Sequence, residues 1–173
     1  IDTAWTKKKA GNNPDYFASI GSALSSGWMY LIEPYEARLE MPDAVDWINN
    51  QKHLKPRVRF GMAKAAGEKI AKQFLERLGI PIEDLEAETT DLRARLVPAI
   101  SQASRGLVKL VGDPKKWERF LLQCAAFPNN QRTHDDLLAA WADLTQMHGL
   151  ITTARKYQAE EETPNPWRAV LGR

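Results

Sequence analysis

The clearest pattern of apolar and polar positions runs from Pro56 to Leu78, PRVRFGMAKAAGEKIAKQFLERL. Phe60, Ala63, Gly67, Ile70, Phe74 and Leu78 recur at steps of three and four. That spacing predicts a helix about six turns long with this stripe as its core face. Pro56 stands at its start and Gly79 at its C-terminal cap, the order that helix ends favour. Its other side carries Arg57, Arg59, Lys64, Lys69, Lys72 and Arg77 against Glu68 and Glu76. It is therefore also the most basic stretch of the chain.

Similar spacing predicts the remaining elements. Asn13-Pro14-Asp15 is a capped helix start, followed by Tyr16, Phe17, Ile20, Leu24, Trp28 and Leu31 in one series that ends before Pro34. Gly21, Ser25, Ser26 and Gly27 mark a close approach or a bend within it. Pro42 opens a short helix through Trp47 and Ile48, closed by Asn49-Asn50. Leu85, Leu92, Leu96, Ile100, Ala103, Leu107 and Leu110 form a further helical series, broken or kinked before Pro98 and ended at Gly112. Asp113-Pro114 starts another helix, with Trp117, Phe120, Leu121 and Cys124 as its buried face. Thr133-His134-Asp135-Asp136 resembles a capping box for a last helix that reaches about Glu162.

No stretch sustains two-residue alternation, and no Asn-Gly or Asp-Gly lies between apolar runs. The expected fold is therefore all-α: one irregular helical bundle of about six or seven helices over residues 13–163. A flexible N-terminal arm at 1–12 and a C-terminal tail at 164–173 flank it.

Composition narrows the class without naming a function. The chain has 173 residues, 43% hydrophobic and 27% charged, enough for one domain with its own core. No apolar run approaches the roughly 18 residues that a bilayer crossing needs, so membrane insertion is not expected. The opening IDTAW lacks an initiating Met and a signal-like apolar segment, which suggests a processed or excised chain. The single Cys124, within FLLQCAAF, suits a buried thiol in a reducing compartment, and the cytoplasm is the expected address.

Net charge is only +2, but it is blocked. Lys52 to Arg77 holds eight Lys or Arg against two Glu, whereas Glu83 to Asp91 holds five carboxylates and no base. Pairing of neighbouring acidic and basic elements within the fold accounts for such blocks, and the i,i+4 series Lys64, Glu68, Lys72, Glu76 suits a solvated helix face.

Candidate chemistry is sparse. His53, His134 and His148 lack zinc-like spacing, and Pro34 and Pro42 break the acidic run of Glu33, Glu36, Glu40, Asp43 and Asp46. No glycine loop resembles a phosphate cradle, and Cys124 on an apolar face reads as inert. No metal, cofactor or catalytic residue is assigned, and enzymatic activity is not expected. The leading expectation is a helical interaction subunit or adaptor of a larger assembly. Its protein or self-association contacts would run through Trp5, Trp167, Val170 and Leu171. The alternative is low-specificity nucleic-acid binding through Lys52, Lys55, Arg57, Arg59, Lys64, Lys69, Arg105, Lys109, Lys115, Lys116 and Arg119, together with the arm lysines Lys7 to Lys9. That alternative depends on these cations converging in space.

Overall fold

The computed structural model describes residues 16–63, 68–85, 91–128 and 134–162, with backbone alone at 68, 69 and 150–162. The chain is an α/β fold with two sheets, and the all-α helical bundle expected from the sequence is corrected. Strands β1 (Phe17–Ser25) and β2 (Trp28–Ala37) form an antiparallel hairpin, followed by helix α1 (Met41–Leu54). Strand β3 (Phe60–Ala63), helix α2 (Glu68–Arg77) and strand β4 (Ile82–Leu85) make a parallel crossover unit. Helix α3 (Leu92–Ser104) leads to β5 (Val108–Val111), which pairs parallel with β2. A 3-10 turn (Pro114–Trp117) runs into α4 (Glu118–Ala126), and α5 (Asp136–Glu162) closes the described chain. The sheets are ordered β1-β2-β5 and β3-β4.

The strands escaped detection for physical reasons. Ser26 and Gly27, both at positive φ (50° and 81°), form the tight turn between β1 and β2. Paired left-handed residues are what a two-residue hairpin needs, and Ser-Gly supplies them here without an Asn-Gly or Asp-Gly pair. In β1, Phe17, Ala18, Ser19 and Ile20 are all buried, so burial does not alternate along that stretch. Strand β3, Phe-Gly-Met-Ala, is buried at every position, the continuous pattern of a strand covered on both faces. The long helix expected over Pro56 to Leu78 thus divides into a strand and a shorter helix. Its supposed core stripe divides too: Phe60 and Ala63 are buried in β3, whereas Ile70, Phe74 and Leu78 are exposed at 54, 45 and 53%. Helix α2 instead buries Ala71 and Leu75.

Several punctuation marks act as expected. Gly79, at φ 72°, ends α2 in a Schellman arrangement, with Gly79 N–H donating to Glu76 O (2.9 Å) and Ile80 N–H to Leu75 O (2.9 Å). Asp113 caps the 3-10 turn by accepting from Lys115 N–H at 3.0 Å. Others do not. Helix α1 continues through Asn49-Asn50 to Leu54, α3 runs from Leu92 to Ser104 with no break at Pro98, and Gly112 follows a strand, not a helix. On α4, Leu121 is 50% exposed. The arm, the tail and Thr133 lie outside the described residues.

Two apolar clusters hold the molecule. The larger joins Ala18, Ile20, Met29 and Leu31 from one face of the hairpin to Trp117, Phe120, Leu138 and Trp141. The smaller joins Phe17 to Val45, Ile48, Phe60, Leu75 and Ile82. Phe17 and Ala18 enter different clusters because successive strand residues face opposite ways. Helix α5 packs against β1, β2, β3, β4, α3 and α4, so it ties both sheets together. Its buried first turn is satisfied by Gln123 of α4, whose Oε1 accepts from Leu137 N–H (3.1 Å) and Leu138 N–H (3.3 Å). Among the described residues, no helix is long and apolar enough to cross a membrane.

Candidate functional site

A cleft of about 690 Å³ opens where the two sheets do not join. Four consecutive β1 residues, Ser19 to Ser22, line it. Neighbouring strand residues point to opposite faces, so a wall built from four in a row runs along the strand's edge. Strand β1 is indeed an edge of its sheet. Phe60 and Gly61 of β3 form part of the opposite wall. A β-bulge lies within the β1 stretch: Ser19 pairs with Tyr35 and Gly21 with Ile32, which sets Glu33 and Pro34 against Ile20 alone. Glu33 takes φ 50°, a left-handed conformation that costs an ordinary residue roughly 1–2 kcal/mol. Such a bulge bends the strand and redirects its side chains, here beside the cleft.

The interior is largely apolar, with Ile32, Val58 and Met147 among its walls. Tyr35 and Trp47 also line it, their rings stacked at 4.8 Å and 21°. Phe17 abuts both edge-on, at 6.1 and 5.3 Å between centroids, and thereby props the aromatic pair against the smaller core.

Cations surround this apolar interior. Lys55, Arg57 and Arg59 arrive from the end of α1 and the approach to β3, and Lys116 comes from the 3-10 turn. The fold thus brings together side chains almost sixty residues apart in sequence. Two of the four are partly neutralised: Lys55 pairs with Glu33, and Arg59 pairs with Glu83, to which its Nε donates at 2.6 Å. Arg57 and Lys116 are exposed and have no ion-pair partner among the described residues.

The other cations singled out in the sequence have different surroundings. Lys52 donates to the carbonyls of Pro56 (2.7 Å) and Val58 (3.3 Å) and shapes the turn that presents Arg57. Lys109 lies over the Trp28 ring at 4.2 Å. Arg119 pairs with the nearly buried Glu36 and lies 4.6 Å from the Tyr16 ring centroid. A hydrogen bond with Tyr16 raises the Arg119 pKa most, against the opposing effect of burial, with Glu36 contributing further. Arg105 and Lys115 are exposed and do not line the cleft. Lys64 and the Lys69 side chain, like Trp5, Trp167, Val170 and Leu171, lie outside the described residues.

One further pair is invisible to local spacing. Ser22 of β1 and His148 of α5, 126 positions apart, share a hydrogen bond between Oγ and Nε2 in the cleft wall. Burial lowers the His148 pKa from its ordinary value near 6.5, so the imidazole is neutral at neutral pH. A neutral imidazole can accept a proton from a hydroxyl, but this pair alone specifies no reaction. Cys124 is half-buried, and desolvation pushes its thiol up to about 11, which makes it a poor nucleophile. Among the described residues, no group of three His, Cys, Asp or Glu could hold a metal ion.

No family model matches the chain, and neither a curated protein nor a solved structure is significantly similar to it.

Proposed function

We propose that this protein binds nucleic acid with low sequence specificity at the cationic mouth of the cleft, as a non-enzymatic subunit of a larger cytoplasmic assembly. The observation that carries this reading is the convergence of Lys55, Arg57, Arg59 and Lys116 around one concave site. Phosphates are bound chiefly by Lys and Arg, and such contacts do not depend on base sequence. Lys55 and Arg59 already have carboxylate partners, so Arg57 and Lys116 carry most of the proposal. In fluorescence anisotropy with mixed-sequence oligonucleotides, affinity should fall steeply between about 50 and 300 mM salt. Arg57→Glu and Lys116→Glu should each weaken binding about tenfold for every sequence and lower the salt slope by about one. Unchanged affinity in both folded variants would overturn the proposal.

A protein partner is favoured by a separate observation. Ile70, Phe74 and Leu78 form an exposed apolar stripe along α2, with Arg77 5.9 Å from the Phe74 ring centroid. Stripes of this kind serve as helix docking faces. If this one mediates self-association, Phe74→Glu should halve the mass measured by light scattering. A monomeric wild-type protein at about 100 μM, where complexes of micromolar Kd are formed, would exclude self-association through it.

A further inference from the structure

We infer that the cleft admits an unpaired base, which makes single-stranded nucleic acid the ligand class. This inference rests on the nucleic-acid reading above and adds what a surface of cations alone does not specify. Phosphate binding requires only an exposed basic surface, whereas here the cations surround an apolar hollow. Its volume of about 690 Å³ falls within the roughly 300–1,000 Å³ typical of small-ligand sites. A backbone tracking across the mouth would leave that hollow unfilled.

Tyr35 and Trp47 supply the surface a base requires. They are half-buried, they line the cleft, and Phe17 holds them from behind. Base stacking on aromatic side chains tolerates any sequence, because every base has a π-face. In a duplex those faces are covered by neighbouring base pairs, so a base can enter a concave site only from a single strand or after leaving the stack. The same geometry places charge where the backbone must pass. Arg57 precedes β3 and Lys116 stands in the 3-10 turn, far apart in sequence, yet both border the hollow. Because these two rings stack on each other, a base would seat on an outer face of the pair, with Arg57 and Lys116 lining the same cleft for its flanking phosphates.

The ligand is thus identified by two chemistries at one site, a planar apolar face and an adjacent anion. The Lys55–Glu33 and Arg59–Glu83 pairs complete the mouth. They can exchange a carboxylate for a phosphate without moving charge into the core, since all four groups are partly exposed.

The test uses the full chain and three labelled 12-mers at low salt: a single strand, the same strand with abasic residues throughout, and the corresponding duplex. Abasic residues keep the phosphates and remove the stacking faces. The single strand should bind about tenfold more tightly than the abasic strand, as expected for stacked bases, and more tightly than the duplex. A 2-aminopurine in the single strand should change its fluorescence on binding. Trp47→Ala should reduce the preference for the normal over the abasic strand to within about twofold while leaving abasic affinity unchanged. General unfolding would abolish both affinities together. Equal binding of all three oligonucleotides, still sensitive to Arg57→Glu and Lys116→Glu, would overturn base insertion and leave the nucleic-acid reading standing. No binding of any oligonucleotide at low salt would overturn both.

Discussion

The two sides of this fold use the same charged residue types to opposite ends. On the side covered by α3, α4 and α5, Arg95 meets Asp143, whose side chain is 1% exposed, and Arg119 meets Glu36, whose side chain is 2% exposed. These carboxylates lie against the larger apolar cluster, and Glu36 also accepts from Gln123 Nε2 at 2.9 Å. At the cleft mouth, Lys55 and Glu33 are 45 and 57% exposed, and Arg59 and Glu83 are 54 and 30% exposed. Water solvates the second set whether or not they pair, so those ion pairs contribute at most about 1 kcal/mol each. In the first set, removing either arginine strands a desolvated carboxylate, and removing Asp143 strands the largely buried Arg95, whereas Arg119 is itself half-exposed. Charge is therefore structural on one side and exchangeable on the other, and solvent exposure decides which.

The largest expected effect follows from breaking each kind of pair in turn. Asp143→Ala should destabilise the protein by about 3–5 kcal/mol, because Arg95 is only 17% exposed and would lose its buried counter-charge. Glu83→Gln should cost less than about 1 kcal/mol. Urea titrations of the two variants beside the wild type measure both, with the shift in midpoint read against an unchanged slope. Comparable losses would remove the distinction between the two regions. A small loss for Asp143→Ala alone would mean that water reaches Arg95 in the variant.

The same distinction explains what could be read in the sequence. Caps and stops are local, so Gly79 after α2 and Asp113-Pro114 before the 3-10 turn stood out without knowledge of their neighbours. The strands did not, because their pattern depends on what covers them. Helical spacing through Phe17, Ile20, Leu24 and Leu31 arose because residues of two antiparallel strands fell by coincidence on steps of three and four. Ser26-Gly27 was the available correction, since two residues of positive φ at a reversal point to a hairpin. In α2 the amphipathic period was genuine, but the buried face is offset by one position, about 100° around the helix. Ile70, Phe74 and Leu78 look like a core stripe until β3 and β4 place Ala71 and Leu75 inward. Of the cleft, the basic stretch Lys55 to Arg59 was legible, and Lys116 was a separate candidate. Their meeting was not legible, nor was the Ser22–His148 contact, because both depend on chain crossings that no local spacing encodes.

His148 lies where the two sides meet, on the helix that spans both sheets and in the wall of the cleft, and its titration yields a smaller but sharper test. Burial disfavours its charged form, so its folded pKa lies below the ordinary value near 6.5 that it regains on unfolding. The sign follows from proton uptake. Above about 6.5 both states are neutral at this residue, and it has no effect on the pH dependence. As pH falls through that value the unfolded chain takes up the proton first, so stability is lost progressively until the folded pKa is reached. Below that point the loss stays constant. His148→Gln keeps a polar group near Ser22 Oγ and cannot titrate, so its stability should decline less than the wild type's between about pH 7.5 and 5. The comparison is read from urea midpoints at both pH values, which cancels every contribution common to both proteins. Equal declines would place His148 with the exposed, solvated groups of the cleft mouth. A flatter profile in the variant would mark His148 as a group whose charge state burial controls.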